Sequence, residues 1–95
     1  MRTTVVEKET LHAAAELLRS LGASQVFLFG SAAKGELRPS SDVDLAVRGL
    51  PAEVFFAAVS KVSHILGRPV DLVDLDDETP KVRYLLASGD LVRVG

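Results

Sequence analysis

Apolar residues recur at helical spacing in two long stretches of the chain and cluster into short runs in three others. Leu11, Ala14, Leu18 and Leu21 fall on one face, which predicts a helix from Thr10 to Leu21, starting there or a turn earlier, with Gly22 as its stop. Phe55, Ala58, Val59, Val62, Ile65 and Leu66 repeat the pattern, entered through Leu50-Pro51 and ended by Gly67. Between them, Val26–Phe29 and Val43–Val47 are short apolar runs of strand length, and Val70–Val73 follows Pro69 as a third. Ala32–Leu37 reads as a short helix or turn, and Arg38-Pro39-Ser40-Ser41 as a loop. Thr79-Pro80 has the form of a cap followed by a first-turn proline, so a last helix runs to about Ser88, with Gly89 after it. Leu91–Val94 is then a terminal edge strand.

This order predicts an α/β (α+β) chain: a small mixed β-sheet flanked by helices, built as a single domain over residues 1–95. Leu11, Leu18, Phe27, Phe29, Leu45, Phe55, Val59, Val62, Leu72 and Leu85 are its expected core.

Composition narrows the function. With 11 basic and 13 acidic residues the formal charge is −2, which offers no basic field for direct nucleic-acid binding. There is no cysteine, so disulfides, thiolate chemistry and cysteine-held zinc are excluded. No signal-peptide core or membrane-length apolar run is present, and a cytoplasmic location is expected. Four Phe, one Tyr and no Trp make a poor platform for stacking bases.

The chemistry concentrates between Gly30 and Asp71. Gly30-Ser31 closes the first strand; ten residues later comes Asp42-Val43-Asp44 at the start of the second. Strand side chains alternate, so Asp42 and Asp44 share one face while Val43, Leu45 and Val47 take the other. Ala46 is expected to keep the carboxylate face open. Carboxylates this close repel, and a divalent cation with oxygen ligands, Mg²⁺ in particular, relieves the repulsion. Asp71 on a neighbouring strand would supply a third carboxylate, enough for two ions about 4 Å apart. A solvated acidic edge explains one such aspartate but not the whole constellation. A glycine at the strand end permits close backbone approach or positive φ, so N–H groups near Ser31 could cradle phosphate, helped by the Ser31 hydroxyl. Lys34 faces either a triphosphate or solvent, and Arg38 either reaches nucleotide phosphate or decorates the loop. The spacing fits neither a P-loop nor a dinucleotide fingerprint.

Gly-Ser, ten residues, Asp-x-Asp, within GSAAKGELRPSSDVDLAV, closely resembles the signature of the DNA polymerase beta-like nucleotidyltransferase superfamily, and the small size resembles its minimal (MNT-type) members. The resemblance is detailed from Ala23 to Leu75. It implies a nucleotidyltransferase-like fold, with Gly30 and Ser31 as the phosphate-binding turn. Asp42 and Asp44 would be the shared metal ligands and Asp71 the third carboxylate. It also implies two Mg²⁺ ions and ATP or another nucleoside triphosphate as substrate. The implied partner is a small all-helical HEPN-type toxin, acceptor of AMP on a tyrosine, with the chain acting as antitoxin. A homodimer or hetero-oligomer is compatible with this. Two alternatives stay open: a non-catalytic antitoxin that neutralises its partner by occlusion, and a transferase acting on a small molecule or RNA end. His12, His64 and Tyr84 read as surface, packing or partner-interface residues, and Asp74, Asp76, Asp77 and Glu78 as a solvated acidic run at a helix start.

Overall fold

A computed structural model describes residues 8–30 and 42–94. Among these, helix α1 (Lys8–Ser20) leads to strand β1 (Gln25–Leu28). Strand β2 (Val43–Arg48), a 3-10 turn (Ala52–Val54) and helix α2 (Phe55–Leu66) come next. Strand β3 (Val70–Asp74), helix α3 (Pro80–Ser88) and strand β4 (Val92–Arg93) complete the order. The expected turn at Ala32–Leu37 and the loop at Arg38–Ser41 lie outside the described residues, as do Ser31, Lys34 and Arg38 themselves.

The strands form one mixed sheet in the order β3-β2-β1-β4. β1 runs antiparallel to both β2 and β4, and β2 runs parallel to β3. Parallel neighbours need a long crossover, and α2 provides it. Pro51 does not open the helix itself: it sits in extended backbone before the 3-10 turn, and the α-helix begins at Phe55. The helix ends where Gly67 adopts φ 68° and returns its N–H to the Ser63 carbonyl. Thr79 caps α3, its hydroxyl accepting from the Val82 N–H at 3.2 Å.

Alternation divides the sheet between two cores. Val26, Leu28, Val43, Leu45, Val47 and Leu72 face α1 and α2, packing with Ala14, Leu18, Ala58 and Val62. Phe29, Ala46 and Leu75 face the other way, packing with Val82 and Leu85 of α3. Of the expected core, Leu11, Phe55 and Val59 are only half-buried at the margin of the first cluster and Phe27 at that of the second. The remainder is buried.

Ala46 departs from expectation. It is fully buried beneath α3, so the face that carries the carboxylates is not open along its length. Its small side chain admits the helix instead. Only the end of that face, at Asp44, stays free of the helix core.

Candidate functional site

β2 and β3 pair so that Asp44 lies opposite Asp71. Adjacent strands are about 4.8 Å apart, and alternation turns both side chains to the α3 side. Both are half-buried, while Asp42, just before β2, is exposed. Partial burial pushes the Asp44 carboxyl above its ordinary value; Asp71 and Asp42 push it the same way, and Lys81 opposes them. The site therefore holds more negative charge than its surroundings balance.

Gly30 stands directly against this carboxylate. Phe29 donates its N–H to the Asp44 carbonyl at 3.1 Å, which draws the end of β1 alongside β2. Gly30 then turns with φ 62°, and a Cβ at this position would fall on Asp44 Oδ2. Both reasons for a glycine apply here: left-handed backbone and close approach. A larger residue would take the space in front of the carboxylate.

A cavity of about 550 Å³ opens at this point, lined among others by Gly30, Asp44, Lys81, Tyr84, Asp90 and Val92. Its volume suits a small-molecule or nucleotide ligand. Lys81 is not among the residues that the sequence singles out, and Tyr84 is expected from it only to pack or to meet a partner. Lys81 donates to Asp71 Oδ2 at 2.9 Å, and its ammonium lies 5.7 Å from the centroid of the Phe29 ring. Tyr84, 68% exposed, stands one turn further along α3. Their signal was positional: residues 81 and 84 are one helical turn apart, beside the core positions Val82 and Leu85.

The acidic run is also more than a solvated face. Asp76 Oδ2 accepts from the Gly49 N–H at 2.7 Å, and Oδ1 pairs with Arg48 Nη1 at 3.3 Å. Asp74 accepts the Asp76 N–H at 2.9 Å. These contacts tie the exit of β2 to the exit of β3. His12 makes an exposed contact with Glu16 at 3.7 Å, away from the cavity.

Asp44, Asp71 and Gly30 are thus brought together, and Asp42 is near enough to act on Asp44. Among the described residues, however, no group of three His, Cys, Asp or Glu side chains is gathered as a metal-ligand cluster. The donor set nevertheless fits a hard cation such as Mg²⁺: carboxylate oxygens in excess, one already drawing the ammonium of Lys81. Among the described residues no helix is long and apolar enough to cross a membrane.

Comparison with known proteins bears on the fold and the family. A solved toxin–antitoxin structure with AMP-PNP superposes with TM-score 0.73, at 24% identity, covering 94% of this chain and 73% of that one. A tri-AMPylated Shewanella oneidensis HEPN toxin in complex with MNT antitoxin gives TM-score 0.68 at 22% identity, with 94% and 72% covered. Both speak to the fold alone. A candidate minimal nucleotidyltransferase is 31% identical, with TM-score 0.69 and coverage of 90% of this chain and 94% of that one. No curated protein matches significantly. The family model for the polymerase beta nucleotidyltransferase domain matches residues 14–92, and the chain belongs to that family.

Proposed function

We propose that this member of the polymerase beta nucleotidyltransferase family transfers AMP from ATP to a tyrosine hydroxyl of a small HEPN-type toxin, and so acts as its antitoxin. The observation that carries the reading is the register of Asp44 against Asp71, with Asp42 and Gly30 beside them at the mouth of a nucleotide-sized cavity. Two structural neighbours supply the choice of nucleotide and partner: one is a toxin–antitoxin with AMP-PNP, the other a tri-AMPylated HEPN toxin in complex with MNT antitoxin.

Asp42 and Asp44 would hold Mg²⁺ between them, with Asp71 as ligand to a second ion. Bound there, Mg²⁺ supplies Lewis-acid stabilisation of charge on the triphosphate and on the acceptor oxygen. The acceptor oxygen forms a bond to the α-phosphorus as the bond to the bridging oxygen of pyrophosphate breaks. The hydroxyl proton passes to Asp71 or to water. Gly30 leaves room for the phosphate to approach the Asp44 carboxylate, and Ser31, Lys34 and Arg38 are the further candidates for phosphate contact. Holding donor and acceptor in line accounts for most of the acceleration.

The test is mass analysis of the partner toxin after incubation with ATP and Mg²⁺. One or more added AMP units on a tyrosine, absent with Asp42→Asn/Asp44→Asn, support the reading. An unmodified toxin contradicts it. One observation favours occlusion as a second reading: Tyr84 and Val92, beside the same cavity, leave apolar surface exposed. Neutralisation by occlusion would survive the double replacement.

A further inference from the structure

Lys81 occupies an unusual place for a cation. It is the second residue of α3, after the Thr79 cap and Pro80, and no acidic residue shares that first turn. The positive end of the helix dipole disfavours a lysine there. Its partner lies on another element: Asp71 Oδ2, on β3, at 2.9 Å. Both side chains remain about half exposed, so the contact holds the ammonium without fixing it. The same side chain passes the Phe29 ring and lines the cavity with Gly30 and Asp44.

A divalent cation approaching Asp71 meets this ammonium. Either the ion takes a carboxylate that Lys81 is using, or two positive charges share one carboxylate. Both weaken the pair. A lysine stem that loses Asp71 still reaches into the cavity, where the next strong acceptors would be phosphate oxygens.

We infer that Lys81 is an exchangeable counter-charge: its ammonium competes with a divalent cation for the Asp71 carboxylate and, once displaced, donates to phosphate oxygens of a nucleoside triphosphate in the cavity. The inference rests on the reading of the site as a nucleoside-triphosphate site. It assigns Lys81 two effects of opposite sign. Its removal strengthens binding of the metal alone and weakens binding of the nucleotide.

The experiment measures Mn²⁺ binding by electron paramagnetic resonance, then binding of a non-hydrolysable ATP analogue in saturating Mn²⁺. Lys81→Met should bind Mn²⁺ about two- to fivefold more tightly than wild type, the scale of one exposed ion pair. It should bind the analogue about tenfold more weakly, the scale of one charge-assisted hydrogen bond. Lys81→Arg, which keeps the charge, should stay close to wild type in both. In an Asp71→Asn background the Mn²⁺ gain from Lys81→Met should vanish. Unchanged or weaker Mn²⁺ binding by Lys81→Met overturns the competition, and unchanged analogue binding overturns the phosphate contact. A wild-type protein that binds Mn²⁺ but no analogue removes the nucleotide reading and the phosphate half together. Wild-type binding that Lys81→Met leaves intact removes Lys81 alone.

Discussion

Replacing Gly30 by alanine separates the fold from the site. The residue has φ 62°, so any side chain carries a left-handed backbone penalty of about 1–2 kcal/mol. Part of that is offset because alanine restricts the unfolded chain, which leaves about 1 kcal/mol. For a domain of this size that lowers Tm by about 4–8 °C. The new methyl would also land on Asp44 Oδ2, with Cγ only 3.3 Å away. The carboxylate is the free end of its side chain, so it turns aside at little cost in stability. The cost falls on function, because a displacement of about 1 Å at a reacting centre is worth roughly a hundredfold in rate. Gly67→Ala is the control: it has φ 68° but nothing within 4 Å of the added Cβ. Thermal melts and nucleotidyl-transfer assays at 25 °C, where both variants stay folded, should show similar losses of Tm. Only Gly30→Ala should lose transfer. Full activity in Gly30→Ala, or an equal loss in Gly67→Ala, would refute the reasoning.

Two further outcomes follow from the charge balance. Asp44→Asn should raise Tm in chelator at neutral pH while abolishing transfer, because it removes a carboxylate that the folded state disfavours. Solvent screening limits the gain to about 0.5 kcal/mol, or about 2–4 °C. Since the folded carboxyl titrates above its ordinary, unfolded range, wild type loses relative stability as pH rises from that range through the folded pKa; the gap to the variant closes below it, where the carboxyl is protonated in both states. An Asn variant less stable than wild type at pH 7 would contradict this. Asp76→Ala breaks the contacts to Gly49 and Arg48 and should lower Tm by about 4–8 °C for a loss of about 1 kcal/mol, read by the same melts; an unchanged Tm would show that the strand exits hold without it.

The elements were legible because their patterns are local. Leu11, Ala14 and Leu18 announce a helix by spacing alone, and the Thr79-Pro80 cap announces another. The same alternation sets Asp44 on the face opposite to Leu45, and it extends to Asp71 against Leu72. Three things are not legible in the sequence. Ala46 follows the alternation, but nothing local says that α3 will cover its face, since that depends on where the chain returns. Lys81 lies ten positions from Asp71, and only the path from the end of β3 into α3 brings them within 2.9 Å. Asp76 was hidden for the same reason: a carboxylate in an acidic run gives no sign that a backbone N–H from residue 49 will meet it. Local patterns carry the elements and the carboxylates, whereas the counter-charges and staples arise from tertiary return.

Nucleotidyl transfer should depend on the carboxylates at the start of β2, Asp42 and Asp44. The direct measurement is transfer of label from α-labelled nucleoside triphosphates in Mg²⁺, by the protein alone and with the proposed HEPN-type toxin, beside Asp42→Asn/Asp44→Asn. Label from ATP should appear on the toxin, with pyrophosphate in equal amount, and neither should appear with the double variant. Label transfer undiminished in the double variant, or no transfer by a wild type that still neutralises the partner, would contradict it.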